Sequence, residues 1–325
     1  MNPSVATPSK SVGADQDLAE QARPGHGVPS QDPSPAAGAA AGAMANPEDS
    51  SSASSVSAGT VRLHIDDSGG SGRPVVLIHG WPLSAQAWES QVPALRAAGY
   101  RVVAYDRRGF GRSDKPESGY GYDALADDLE RVIEQCGLQD LTLVGFSMGG
   151  GEVARYIARH GESRLHSVVF AAAVPPCLMK SADNPEGPLT PEKAQKSKQA
   201  LEQDRAAFFD QFTKDFFSAH GALRVTEPQR GEAIALCLQS AQHAALACMD
   251  SFGTTDFRED LKQVKVPTLV IHGDADAIVP VEGSGQRTHR AVAHSQLVRV
   301  SGAPHGLNVS HVKAFNDALL SFLRK

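Results

Sequence analysis

No apolar run in this 325-residue chain approaches the roughly 18 to 20 residues that a helix needs to cross a bilayer, so a helical membrane protein is excluded. Cysteine is scarce: Cys136, Cys177, Cys237 and Cys248 are widely spaced, with no CxxC pair and no Cys/His ligand pattern. That rules out a disulfide framework and a zinc site of the usual spacing, and leaves free, buried thiols in a reducing compartment as the expectation. Positive charge is also short. Lys and Arg number 31 against 37 Asp and Glu, for a formal net charge of -6 and a pI near 6.0, and no basic stripe is interleaved with aromatics. A nucleic-acid partner is therefore not expected, and a small neutral or weakly charged substrate fits better. What is present, 41% hydrophobic and 21% charged residues, suits a globular protein with a substantial core.

Residues 1 to about 57 are dominated by Ala, Ser, Pro and Gly and carry no periodic apolar pattern, so a disordered extension is expected there. The segment has neither a secretory apolar core nor a twin-arginine pair, and Asp15, Asp17 and Glu20 argue against a transit peptide. Cytoplasmic residence is the default expectation, and Met44, just ahead of the folded part, fits a downstream translation start.

From residue 58 to 325 short continuous apolar runs alternate with helical stretches, the pattern of strands buried on both faces of a parallel sheet. The predicted class is α/β, a doubly wound and mostly parallel sheet. Strands are expected at Val61–Ile65, Val75–His79, Arg101–Tyr105, Leu141–Gly145, Ser167–Ala171, Thr268–His272 and Gln296–Val300. Helices are expected at Tyr122–Cys136, Gly149–Arg159 and Val309–Leu323. Between Ala171 and Thr268 the rhythm breaks: helical patterns at Pro191–Ser218 and Gly231–Met249 come with no convincing strand. Long excursions of this kind tend to be functional, and a helical cap over the active site, about residues 178 to 262, is the reading.

The strongest chemical signal is Gly145-Phe146-Ser147-Met148-Gly149, preceded by Leu141-Thr142-Leu143-Val144 and followed by a helical pattern. This is Gly-x-Ser-x-Gly in strand-turn-helix context, a nucleophile elbow. Ser147 must occupy a sharp, strained turn at the top of the sheet, and the glycines two positions either side let strand and helix approach closely. No Gly-Lys-Ser/Thr follows, so the motif is not a P-loop. The base must be a histidine late in the chain. His289 and His311 fall in helical patterns and His294 precedes the last strand, whereas His305 lies in the loop Ser301-Gly302-Ala303-Pro304-His305-Gly306 beyond that strand's carboxyl end, where ligands bind in open α/β sheets. For the orienting acid, the segment after Ala171 offers no carboxylate, while His272-Gly273-Asp274-Ala275-Asp276 offers two, and spacing favours Asp276 only slightly. The oxyanion hole needs backbone N–H groups, expected from Met148, after the nucleophile, and from Trp81 in the loop His79-Gly80-Trp81-Pro82-Leu83-Ser84. The Trp81 indole would wall the acyl pocket.

From about Thr60 onward the chain resembles the cofactor-free bacterial haloperoxidase (non-haem chloroperoxidase) and perhydrolase branch of the α/β-hydrolases, close to aryl esterases. The resemblance rests on His79-Gly80-Trp81-Pro82-Leu83, Tyr105-Asp106-Arg107-Arg108-Gly109-Phe110-Gly111-Arg112-Ser113, Gly145-Phe146-Ser147-Met148-Gly149-Gly150-Gly151-Glu152, His272-Gly273-Asp274-Ala275-Asp276-Ala277-Ile278-Val279-Pro280 and Pro304-His305-Gly306. It implies the triad Ser147, Asp276 and His305, with Asp276 preferred to Asp274, and oxyanion amides at Trp81 and Met148. It implies no metal and no organic cofactor. The small molecules expected are an ester or short carboxylic acid, with hydrogen peroxide and halide; no nucleic acid or membrane partner is expected, and a homo-oligomer stays open. An acyl-serine resolved by water makes an esterase; one resolved by peroxide releases a peracid that oxidises halide away from the enzyme. The alternatives are a plain carboxylesterase, aryl esterase or lactonase with the same triad, and, more remotely, a non-catalytic ligand-binding protein on the same fold. An aspartate-nucleophile dehalogenase or epoxide hydrolase is excluded by Ser147.

Overall fold

The computed structural model describes residues 61–325; the extension expected over residues 1 to 57 lies outside them. The chain runs β1 (Ile65–Asp67), β2 (Pro74–Ile78), α1 (Val92–Ala97), β3 (Arg101–Tyr105), α2 (Tyr122–Gln135), β4 (Leu141–Phe146), α3 (Met148–His160) and β5 (Leu165–Ala171). An insertion follows with α4 (Pro191–Gln203), α5 (Arg205–Phe217), the two-residue strands β6 (Ser218–Ala219) and β7 (Ala222–Leu223), α6 (Glu227–Leu238), α7 (Gln242–Thr254) and α8 (Arg258–Leu261). The chain then returns through β8 (Thr268–Gly273), α9 (Gly285–Ala291), β9 (Gln296–Val300), α10 (Leu307–Ser310) and α11 (Val312–Leu323).

The main sheet has the order β1-β3-β2-β4-β5-β8-β9, and every pairing in it is parallel except β1 with β3. Continuous apolar runs explain its depth, since all residues of β4 and β8 are buried. Helices cover it through stripes at helical spacing; α2 turns Leu125, Ala126, Leu129, Val132 and Ile133 inward. Fully burying an aliphatic side chain of this kind contributes roughly 1.5–3 kcal/mol. No helix among the described residues is long and apolar enough to cross a membrane. All four cysteines are unpaired; three are buried and Cys136 is partly exposed.

Five expectations need correction. The first strand lies at Ile65–Asp67 rather than Val61–Ile65, because the residues before it bond to the loop after β3: Asp106 and Asp114 donate their N–H groups to the carbonyls of His64 and Arg62. The pattern over Pro191–Ser218 is two helices, not one. Asp204 adopts an extended conformation and its side chain accepts from Ala207 N–H, capping α5. The pattern over Gly231–Met249 likewise divides into α6 and α7, and the last helix into α10 and α11. The insertion also contains the short β6–β7 hairpin, which two-residue strands leave almost invisible to pattern reading.

Candidate active site

The chain leaves β2 toward β3 on one side of the sheet and later enters β4 on the other, so the crevice between the carboxyl ends of β2 and β4 is where strand order reverses. Ser147 stands there. It links β4 to α3 with φ +55° and ψ -117°, a conformation disfavoured for a residue with a side chain, and is held by its N–H donating to Ala171 O and its carbonyl accepting from Val174 N–H. The tight crossing explains the small residues around it: a Cβ on Gly149 would lie 2.6 Å from Ile78 O.

His305 Nε2 lies 2.9 Å from Ser147 Oγ, and His305 Nδ1 lies 2.7 Å from Asp276 Oδ2. All three residues are buried, with Ser147 and His305 opening onto a common cavity. The imidazole sits between the rings of Phe146, at 5.3 Å, and Phe216, at 5.0 Å. Asp276 also accepts through Oδ1 from the N–H groups of Ile278 and Val279. Burial works against its ionisation, but the His305 charge and the hydrogen bonds from His272 and His305 outweigh it and hold the carboxyl well below the usual range. Asp274, the competing aspartate, points elsewhere: it is exposed and accepts from Gly302 N–H at 2.6 Å.

The loop with Trp81 abuts the serine; a Cβ on Gly80 would lie 3.1 Å from Ser147 Cβ. Met148 opens α3, so its N–H has no acceptor within the helix and is free to face a developing oxyanion. Beneath this loop lies a buried polar network that sequence reading did not foresee. Arg107, paired with Glu152, donates to the His79 carbonyl at 2.6 Å, and Tyr105 donates its hydroxyl to Glu152. His79 is also buried. Burial and then the adjacent Arg107 cation push it down to about 3, so the ring is neutral, with Nδ1–H donating to Gly80 O and Nε2 accepting from Arg107 N–H. In the sequence Tyr105, Arg107 and Glu152 are letters of two motifs, and nothing in their spacing reveals that two distant segments share one ion pair.

Above the site, α4, α5 and α7 help enclose a cavity of about 1210 Å³. Its apolar lining includes Trp81, Val174, Phe208, Phe212, Phe252 and Ile278. The Trp81 indole is packed against Phe212 and Phe252 and donates to Ala245 O, so it walls the cavity.

A mostly parallel sheet with a strained serine, an imidazole and a carboxylate meeting at its switch point is the architecture of the α/β-hydrolases. The alpha/beta hydrolase fold family model matches residues 73–312, and the chain belongs to that family. It is 41% identical over 259 residues to a non-heme chloroperoxidase of Kitasatospora aureofaciens, covering 79% of this chain and 94% of the relative. It is 37% identical over 271 residues to a bifunctional esterase/perhydrolase of Acinetobacter calcoaceticus, covering 81% and 96%. Among solved structures, a bromoperoxidase from Bacillus anthracis superposes with a TM-score of 0.80 at 51% identity, over 82% of this chain and 96% of that one.

Proposed function

We propose that the protein is a serine-dependent acyl-transfer enzyme of the cofactor-free haloperoxidase type, with Ser147 as nucleophile, His305 as general base and acid, Asp276 as orienting acid, and the amides of Trp81 and Met148 as the oxyanion hole. The observation that carries this reading is the pair of contacts at His305, 2.9 Å to Ser147 Oγ and 2.7 Å to Asp276 Oδ2. His305 Nε2 takes the hydroxyl proton as Ser147 Oγ bonds to the acyl carbon, and returns it to the departing alcohol or hydroxide. Hydrogen peroxide, deprotonated by the same imidazole, then attacks the acyl-serine; a peracid leaves and Ser147 recovers its proton. The peracid oxidises bromide or chloride to hypohalous acid in solution and reverts to the carboxylic acid. Water in place of peroxide gives ester hydrolysis. Residues 178 to 262 serve as a cap that narrows access to the serine.

A second reading, hydrolysis of bulkier esters or lactones with little perhydrolysis, is favoured by the cavity, whose 1210 Å³ exceeds the roughly 300–1,000 Å³ of most small-molecule sites and far exceeds what acetate needs. The deciding experiment is the initial rate of dye bromination at fixed peroxide and pH, with and without added acetate. Bromination should require the carboxylate, ignore chelators and stop with a serine-directed inhibitor. A full rate in carboxylate-free buffer rules out the peracid route; aryl acetate hydrolysis with no bromination under any condition leaves plain ester hydrolysis as the better reading.

A further inference from the structure

Asp276 faces a second imidazole. His272, next to last in β8, is wholly buried; its Nε2 lies 2.8 Å from Val279 O and 3.2 Å from Asp276 Oδ2. Both neighbours are acceptors, so the ring proton belongs on Nε2, shared between them. Nδ1 has no hydrogen-bond partner among the described residues, and a proton there would be a buried donor without an acceptor. The fold makes room for this ring. A Cβ on Gly285, at the start of α9, would lie 2.5 Å from His272 Nδ1.

The carboxylate is thereby held at both ends, Oδ1 by the amides of Ile278 and Val279 and Oδ2 by His305 and His272. The terminal torsion of a carboxylate is soft. With His272 removed, the only donor left on Oδ2 among the described residues is His305, the group that Asp276 must itself orient. His305 exchanges a proton with the reacting groups in every half-reaction, whereas His272 is buried and does not line the cavity. We propose that His272 is a positioning residue of the acyl-transfer site: by donating to Asp276 Oδ2 it keeps the carboxylate aimed at His305 while that imidazole changes charge. The inference rests on the triad assignment above.

The test uses the full chain and aryl acetate hydrolysis in His272→Phe, which keeps a planar ring without a donor, and in His272→Gln, which places an amide N–H near Nε2. Thermal unfolding is followed for each, and Ser147→Ala is the control. His272→Phe should lower kcat by about 10- to 100-fold, the range expected when a hydrogen bond to a charged group is lost, with KM nearly unchanged, and His272→Gln should recover most of the loss. Equal losses in both variants that track their melting temperatures, or wild-type kcat in His272→Phe, overturn the proposal. A second measurement does not depend on any variant folding: ¹⁵N chemical shifts of histidine-labelled wild-type protein should show His272 protonated on Nε2, and a proton on Nδ1 instead overturns it. Hydrolysis that survives Ser147→Ala refutes the triad assignment and this inference with it. Hydrolysis that needs Ser147 yet ignores the His272 donor refutes only the inference.

Discussion

Replacing Asp276 by Asn probes the site at the point where two aspartates compete. The amide can sit in two orientations. With its carbonyl toward Ile278 and Val279 it keeps both backbone hydrogen bonds and turns its NH2 toward His305 Nδ1 and His272 Nε2. Flipped, it sets the NH2 against the N–H groups of Ile278 and Val279, each unmet donor costing about 1–3 kcal/mol, whereas in the first orientation the His272 Nε2–H that it faces keeps Val279 O as acceptor. The first orientation therefore wins. Its NH2 can be accepted by His305 only if the imidazole moves its proton from Nδ1 to Nε2, and a protonated Nε2 cannot take the proton of Ser147 Oγ. The expected loss in kcat/KM is about 10⁴-fold, or about 5.4 kcal/mol of transition-state stabilisation. Asp274→Asn keeps an acceptor for Gly302 N–H on an exposed side chain, so its effect should stay within about twofold. Aryl acetate kinetics on the two purified variants make the comparison. Equal losses, or a larger loss at Asp274, would refute the tautomer reasoning and the assignment of the acid.

Other outcomes follow from the same contacts. Ser147→Ala should abolish ester hydrolysis and peroxide-dependent bromination together, with losses of about 10⁴-fold or more, because both pass through one acyl-serine; bromination that outlives hydrolysis contradicts a shared intermediate. Glu152→Ala strands the buried Arg107 cation beneath the Trp81 loop, so chemical denaturation should show a destabilisation of about 3–5 kcal/mol, and a change near zero would mean that the ion pair is not needed there. Gly145→Ala would set a Cβ 2.4 Å from Gly149 O, and an overpacked elbow should cost about 1–3 kcal/mol or more along with activity; an active variant of unchanged melting temperature speaks against so tight a crossing. His79 gives a pH dependence of stability. Unfolded, the ring takes up a proton near 6.5, but folded it does so only near 3, so between these values the unfolded state binds more protons and stability falls as pH drops. Between pH 6.5 and about 5 the unfolding free energy of the wild type should therefore fall more steeply than that of His79→Gln, by up to about 1.4 kcal/mol per pH unit; parallel curves would show that His79 does not titrate this way.

The sheet and the serine elbow were legible in the sequence because their physics is local. A strand buried on both faces must be largely apolar, as β4 and β8 are, and a sharp turn between strand and helix needs small residues at fixed offsets from Ser147. The ends of elements were less legible for an equally local reason: the break between α4 and α5 depends on one extended residue, Asp204, whose side chain caps the next helix. Contacts across the chain are a different matter. His305 could be picked out because a loop beyond the last strand has few histidines to offer, but the residues that hold the triad and the Trp81 loop in place lie on regular elements whose patterns disclose only burial. His272 reads as one more residue of a buried strand, and Glu152 as one polar position on a helix. Each acquires its role only when the turn at Asp276, or the approach of Tyr105 and Arg107 at the end of β3 to α3, brings an acceptor or a cation to it. A buried polar side chain must find such a partner or destabilise the fold, so the polar letters inside otherwise apolar runs are where a sequence reading should expect its unassigned functional residues.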